Sequence, residues 1–137
     1  MRRFILPFAA AAALGGCAMS DGPEAAAATS ADDSRALAEA LAGRTAGPPQ
    51  QCVQRSTLRG NRGYGEGTIV FEGPGDTQYV NRTRSACPRL RPWNAIRIRS
   101  MGNSLCSNEL VQVFDPTTGT EYGGCSLGEF TPYRRER

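Results

Sequence analysis

Apolar residues occur in two patterns along the chain, one unbroken block near the start and short alternating runs in the second half. The block covers residues 4–14, follows Arg2 and Arg3, and is followed by Gly15 and Gly16. A charged start, a short apolar segment and small residues at its end are typical of a secretory signal. A transmembrane helix needs about 20 apolar residues. The block therefore predicts a signal helix within a signal peptide of residues 1–16, which is removed from the mature protein.

Residues 14–17 have the sequence Leu-Gly-Gly-Cys, which resembles the bacterial lipobox. In that kind of signal the Cys thiol receives a diacylglyceryl group and becomes the mature N-terminus, so Cys17 is the predicted lipidation site. In lipoproteins of Gram-negative bacteria, an Asp directly after the lipidated Cys favours the inner membrane. Here Ala18 occupies that position, which predicts an outer-membrane lipoprotein facing the periplasm. The alternative is ordinary signal cleavage after Ser20, because residues 18–20 also offer small side chains.

Residues 17–50 are predicted to form an Ala-rich tether between the lipid and a folded domain. Residues 18–30 show no apolar periodicity, which indicates a disordered spacer. A helix over residues 31–42 is indicated by a capping pair, two leucines one turn apart and a terminating glycine (Ser30 and Asp33, Leu37 and Leu41, Gly43). Because so short a helix is weakly stable alone, we interpret it as part of the tether, and the alternative is a helix that docks on a partner.

Residues 51–137 carry short runs rich in β-branched and aromatic residues, separated by turn residues. Residues 96–99 alternate Ile-Arg-Ile-Arg, which places the apolar side chains on one face of a strand and the guanidinium groups on the other. The Gly-rich residues 60–67 predict a mobile connection. The pattern predicts an all-β domain, a small antiparallel barrel or curled sheet of five to seven short strands. The predicted strands cover residues 52–58, 68–72, 77–80, 93–100, 105–106, 109–114 and 122–130.

Four cysteines lie in this domain: Cys52, Cys87, Cys106 and Cys125. An even set in an oxidising compartment predicts two disulfides, each adding typically about 2–4 kcal/mol to the stability of a small domain. We favour the pairs Cys52 with Cys125 and Cys87 with Cys106, which would join the first strand to the last and tie a loop to the next hairpin, although spacing leaves the other pairings open. A four-thiolate zinc site is the alternative, and it lacks any Cys-x-x-Cys pair.

Two segments carry a resemblance to a known family. Residues 87–92 have the sequence Cys-Pro-Arg-Leu-Arg-Pro, and residues 125–133 the sequence Cys-Ser-Leu-Gly-Glu-Phe-Thr-Pro-Tyr. With further matches from residue 41 onward, they resemble a family of small exported alphaproteobacterial proteins known only as a domain of unknown function. The resemblance implies an envelope location and structural disulfides, and it supplies no catalytic residues.

The chain contains no His. This excludes Ser-His-Asp and Cys-His nucleophile systems and His-ligated zinc. The carboxylates of residues 51–137 are not paired at a diagnostic spacing, so an enzyme that relies on carboxylates alone is the least favoured hypothesis. We predict a protein that is not an enzyme and that needs no cofactor or metal.

The charges of the chain are segregated. Residues 51–137 hold twelve Arg against eight acids, a net charge of +4, whereas residues 18–50 have a net charge of −3. A domain of positive charge attracts anionic partners, and guanidinium forks beside aromatic rings bind phosphates, carboxylates and acidic sugars. The predicted anion-binding residues are Arg91, Arg97, Arg99 and Trp93, taken from a denser Arg set at residues 82–99. The alternative is a solvated sheet face.

These features predict a lipid-anchored envelope protein whose domain is a structural or interaction module. Its predicted partners are the membrane, through the lipid, and an envelope protein. The alternative is a binding module for an anionic ligand or glycan through the Arg and Trp surface. Nucleic acid is not expected as a partner of an exported protein.

Overall fold

The computed structural model describes residues 30–136, so the predicted signal, Cys17 and the spacer to residue 29 lie outside the described residues. The described part contains one α-helix, α1 (Ala31–Ala40), and ten strands. The strands are β1 (Arg44–Ala46), β2 (Cys52–Gln54), β3 (Gly60–Gly63), β4 (Thr68–Glu72), β5 (Gln78–Arg82), β6 (Ala95–Ile98), β7 (Ser104–Cys106), β8 (Leu110–Phe114), β9 (Glu121–Ser126) and β10 (Phe130–Arg135). No helix within residues 30–136 has the length and apolar character needed to cross a membrane.

The strands form three antiparallel sheets. A five-stranded sheet has the order β1-β10-β5-β4-β3, a three-stranded sheet has the order β6-β8-β9, and β2 pairs with β7. The prediction of an all-β, antiparallel fold is confirmed, and the strands at residues 30–136 do not close into a barrel. There are more strands than predicted because several of them, such as β1, are only three residues long.

The main core is built by side chains from all three sheets. Strand β4 carries Ile69 and Phe71 on its core face, and Phe71 packs against Phe130 with 5.7 Å between the ring centroids. Leu105 of β7 and Val111 of β8 reach the same core and are fully buried. The three sheets therefore share one hydrophobic interior.

The helix α1 covers the other face of the five-stranded sheet. Leu37 is buried there against Tyr64, Val70 and Val80. Strand β4 has apolar side chains on both faces, and burying the second face stabilises a helix that is weak alone. The assignment of this helix to the tether is therefore wrong, and the helix belongs to the folded unit.

The amino-terminal boundary of the folded unit also lies before residue 51. Strand β1 pairs with β10, with Arg44 opposite Arg135 and Ala46 opposite Tyr133. The predicted cap of α1 is present, since the Ser30 hydroxyl accepts a hydrogen bond from a backbone N–H three residues later. The Gly-Pro-Pro segment at residues 47–49 connects β1, which pairs with β10, to β2, which pairs with β7.

Two predicted segments differ from the structure because of glycine. The Gly-rich residues 60–63 form β3, paired with β4, instead of a mobile connection. A Cβ on Gly63 would lie 2.4 Å from Leu90 Cγ, so glycine lets this buried Leu reach the strand. The predicted strand at 122–130 is interrupted near Gly128 and forms parts of β9 and β10.

All four cysteines of the domain are in disulfides, as predicted, but the favoured pairing is wrong. The bonds join Cys52 to Cys106 and Cys87 to Cys125. Strand β2 pairs with β7 and places Cys52 directly opposite Cys106, with 4.0 Å between their Cα atoms. The pairing follows from the order of strands in the sheets, which cysteine spacing does not reveal.

Candidate functional site

The outward face of the three-stranded sheet holds the centre of the predicted anion-binding set. Arg97 Nη1 donates to Glu121 Oε1 over 2.6 Å, and Arg99 Nη2 lies 3.7 Å from the same oxygen. Gln112, opposite Arg97 on β8, donates to the second carboxylate oxygen of Glu121 over 2.9 Å. The Glu121 carboxylate is therefore contacted by two guanidinium groups and one amide on a single face of the sheet.

The Arg97 side chain also packs on an aromatic ring. Its guanidinium carbon lies 4.7 Å from the centroid of the Phe114 ring, a distance at which a cation is attracted to the ring face. Phe114 belongs to β8 and pairs with both Ala95 and Glu121 in the sheet. The ring and the carboxylate together fix the guanidinium, although 44% of the Arg97 side chain is exposed.

The other two predicted residues lie in the segment before β6. Arg91 Nη1 donates to the carbonyl oxygen of Leu90 over 3.1 Å, and Trp93 is 71% exposed. No hydrogen bond, salt bridge or cation–π contact within residues 30–136 joins either of them to Arg97 or Arg99. The structure thus brings together two of the four predicted residues.

The denser Arg set at residues 82–99 is divided between different elements and partners. Arg89 lies over the Tyr122 ring, 5.5 Å from its centroid. Arg82 ends β5 in the five-stranded sheet, and Arg84 follows it and donates its backbone N–H to the Ser126 carbonyl on β9. Within residues 30–136, none of these arginines makes a salt bridge to Glu121, the acid that holds Arg97 and Arg99.

Glu121 is a site residue that sequence reasoning missed. It lay one residue before the predicted strand at 122–130, and its place opposite Phe114 depends on a register shift in the β8–β9 hairpin. The turn at residues 115–119 was the one available signal, because a hairpin places the residues that flank its turn opposite each other.

Two other carboxylates are held in structural contacts. The Asp76 carboxylate accepts a hydrogen bond from Arg44, which lowers the pKa of its carboxyl, and the charges of Arg44 and Arg135 lower it further. The backbone N–H groups of Thr117 and Thr118 likewise hold the pKa of Asp115 below its usual range. Asp115 therefore caps its turn, and both carboxylates favour the ionised form.

The described residues offer no obvious metal centre. Within residues 30–136 no group of three or more His, Cys, Asp or Glu side chains could hold a metal ion. The four thiols considered for zinc are consumed by the two disulfides, so the zinc alternative is wrong.

Comparison with known proteins places the chain in a family. The model of DUF6491, a family of unknown function, matches residues 1–132. The chain belongs to this family. No curated protein and no solved structure matches it. The resemblance to an uncharacterised family is confirmed, and membership in DUF6491 brings no activity or site residue with it.

Proposed function

We propose that this DUF6491 protein is an exported, non-enzymatic lipoprotein whose folded domain contacts another component of the cell envelope. The observation that carries the proposal is the pair of disulfides, Cys52–Cys106 and Cys87–Cys125. Structural disulfides form and persist in oxidising compartments and are rare in the cytosol. They account for four of the five cysteines and leave Cys17 for acylation.

The sequence around Cys17 supports a membrane anchor. The apolar block and the Leu-Gly-Gly-Cys segment match the order of a lipoprotein signal. Two or more acyl chains hold a protein stably on a membrane, since each buried methylene contributes about 0.8 kcal/mol. The part of the predicted tether that precedes α1, residues 17–29, would then connect the lipid to the folded domain.

The absence of His and the ion pairs of two acidic side chains support a non-enzymatic role. The chain has no His for acid–base chemistry near neutral pH. Asp76 is paired with Arg44 and Arg135, and Glu121 is paired with Arg97 and Arg99. These acids serve packing and strand alignment, which suits a binding or structural domain.

The anchor is tested by expressing the full chain in a Gram-negative host and extracting membranes. Mass spectrometry is expected to find a lipidated N-terminal Cys17 and disulfide-linked peptides for both cysteine pairs. The control Cys17→Ser should release the protein to the soluble periplasmic fraction with its disulfides intact. A cytosolic protein with unmodified Cys17 and four alkylatable thiols contradicts the proposal.

The interaction role is tested at the exposed apolar side chains. Trp93, Met101 and Leu110 are all more than two-thirds exposed, at 71%, 101% and 71%, and exposed large apolar residues often mark contact surfaces. A photo-crosslinking residue at Trp93 or Leu110 is expected to give a discrete adduct in intact cells. The matched control at Thr117, an exposed turn residue, should give none. Equal labelling at all three positions contradicts a specific contact.

A specific observation also favours the binding of an anionic ligand or glycan. Arg97 and Arg99 already surround one carboxylate, that of Glu121, so the same groups can hold the carboxylate of an acidic sugar. Heparin retention is the test: Arg97→Ala with Arg99→Ala should lower the eluting salt, and Glu121→Gln should raise it by removing the internal competitor. The control Arg62→Ala with Arg134→Ala makes the same charge change. Equal losses for both pairs indicate net charge alone and contradict this candidate.

A further inference from the structure

A second surface, on the helix-covered face of the five-stranded sheet, has the properties of a ligand site. A groove of about 320 Å³ lies where the end of β5 meets the start of β10. Val80 and Tyr133 line the groove and also belong to or pack against the cluster around Leu37, so the groove opens on the face of the sheet that α1 covers. The volume is at the small end of the range for small-molecule sites, about 300–1,000 Å³.

The strand register brings the lining side chains to one face. Alternate residues of a strand share a face, so Val80 and Arg82 project together from β5. Thr131 lies opposite Val80 on β10, and Tyr133 lies opposite Gln78. Arg84 follows β5, and its backbone N–H donates to the carbonyl of Ser126 over 2.8 Å, which fixes this residue at the mouth of the groove.

The floor of the groove is rigid. The buried Asn81 side chain donates to the Gly128 carbonyl over 2.8 Å and accepts from the Gly128 N–H over 2.9 Å. A Cβ at position 128 would lie 2.0 Å from the Arg82 carbonyl oxygen, so the two backbones are as close as glycine permits. The backbone that carries Arg82 is therefore held from below by a fully buried amide.

The two arginines of the groove lack internal partners. Within residues 30–136, neither Arg82 nor Arg84 makes a side-chain hydrogen bond or salt bridge, whereas Arg44, Arg97, Arg99 and Arg135 are all paired with acids. The acid of the groove, Glu129, instead accepts a hydrogen bond from Gln51. Two like charges two residues apart repel each other unless an anion lies between them. The groove thus keeps a net positive charge and two open guanidinium forks.

We propose that this groove binds a phosphate group through Arg82 and Arg84, with the hydroxyls of Thr131 and Tyr133 as further donors. A carboxylate has two oxygens, which one guanidinium fork can satisfy. Two forks and two hydroxyls offer more donors than a carboxylate needs, and they suit the three or more oxygens of a phosphate. The site is separate from Arg97 and Glu121 and does not depend on the proposed lipid anchor.

The first test measures binding of inorganic phosphate to the full-length protein by calorimetry at low salt. Wild type should bind phosphate more tightly than acetate, and Arg82→Gln with Arg84→Gln should weaken phosphate binding at least about tenfold, because the variant loses both charge-assisted donor groups. Thr131→Val with Tyr133→Phe should weaken it without a change of charge. The matched control is Arg62→Gln with Arg134→Gln, which removes the same two charges elsewhere.

The second test distinguishes a lipid headgroup from a soluble phosphate compound. The Cys17→Ser protein, which lacks the acylation site, is mixed with vesicles of phosphatidylcholine with or without phosphatidylglycerol. Flotation with the phosphatidylglycerol vesicles that is lost in the Arg82 and Arg84 variant identifies a headgroup as the source. Binding of inorganic phosphate without flotation identifies a soluble ligand, and both outcomes support the site.

Three results overturn the proposal. One is the absence of binding to both phosphate and vesicles. Another is an equal loss for the groove variant and the Arg62 and Arg134 control, which would indicate net charge alone. The third is equal affinity for acetate and phosphate, which would remove the argument for a phosphate group. Thermal unfolding of each variant checks that its substitutions leave the fold intact.

Discussion

At the scale of single residues, several positions are fixed by partners far away in the sequence. Gly128 lies in a segment predicted as continuous strand, yet its backbone is bound by Asn81, 47 positions earlier. Asp76 lies in the turn between β4 and β5, and its ion pairs to Arg44 and Arg135 connect this turn to β1 and β10. Local sequence indicates turns and strands, but it does not reveal such long-range contacts.

We expect Gly128→Ala to destabilise the domain by about 1–3 kcal/mol, because the added methyl overpacks a site with no room for it. The new Cβ would lie 2.0 Å from the Arg82 carbonyl oxygen, and that oxygen belongs to a paired strand that cannot move alone. Urea unfolding of the oxidised protein measures the effect. The control is Gly67→Ala, where the Cβ meets nothing within 4 Å. Similar midpoints for the two variants would disprove the steric account.

We expect the stabilising effect of Asp76 to depend on pH. The hydrogen bond from Arg44, followed by the charges of Arg44 and Arg135, makes the pKa of Asp76 lower in the folded chain than in the unfolded one. Its contribution is therefore present above the unfolded pKa, about 3.9, and is lost as the pH falls through the folded pKa. Asp76→Asn should lower the urea midpoint at pH 7 and have less effect near pH 2.

Asp32→Asn is the control for this comparison. Asp32 pairs with Arg35 at 3.6 Å, but both side chains are largely exposed, and such pairs contribute little. Its midpoint should stay near that of wild type at both pH values. A loss for Asp76→Asn that is as large in acid as at neutral pH would show that the ion pairs do not cause it.

At the scale of elements, local signals predicted the helix and the alternating strands well. The cap at Ser30 and the spacing of Leu37 and Leu41 lie within α1 or next to it, so the sequence alone indicates the helix. Residues 68–72 form β4 with the predicted bounds. Strand β3 was missed because its glycines have low strand propensity, and it is stabilised by pairing with β4 and by the packing of Leu90.

We expect Leu37→Ala to lower the free energy of unfolding by about 2 kcal/mol, the small end of the range for a buried Leu, because Leu37 is still 9% exposed. If α1 were part of a tether, this substitution would change nothing. Glu39→Ala on the exposed side of the same helix is the control. Urea unfolding of both variants decides between a docked helix and a tether, since equal midpoints would restore the tether.

At the scale of the whole molecule, the prediction failed wherever the outcome depended on strand order. The alternation of Ile and Arg at residues 96–99 correctly predicted that Arg97 and Arg99 lie on one face of the sheet. The acid between them comes from β9, and the groove at Arg82 combines β5 with β10. The disulfide between Cys52 and Cys106 follows the same rule, since these residues meet because β2 pairs with β7. Composition and periodicity predict elements, but they do not predict which elements become neighbours in a sheet.

The two disulfides should differ in their resistance to reduction. Cys87 and Cys125 are 0% and 1% exposed, whereas Cys52 is exposed and Cys106 is half-buried. Thiol–disulfide exchange requires that an attacking thiolate reach a sulfur atom. A mild reductant under native conditions should therefore open Cys52–Cys106 first, and Cys87–Cys125 should open only when the domain unfolds. Timed alkylation followed by peptide mapping measures the order.

Variants that lack one disulfide or the other show whether the order of reduction follows the burial of the sulfur atoms or the contribution of each disulfide to the stability of the domain. Cys52→Ala with Cys106→Ala, and Cys87→Ala with Cys125→Ala, should each cost typically about 2–4 kcal/mol of stability. The closed loops are similar in length, with separations of 54 and 38 residues, so loop entropy predicts nearly equal losses and burial alone predicts the order of reduction. Simultaneous reduction of both bonds in the folded protein would contradict the buried position of Cys87–Cys125. A disulfide-linked pair of peptides that contains Cys52 and Cys125 would contradict the strand order of the sheets, because β2 would then lie beside β9 instead of β7.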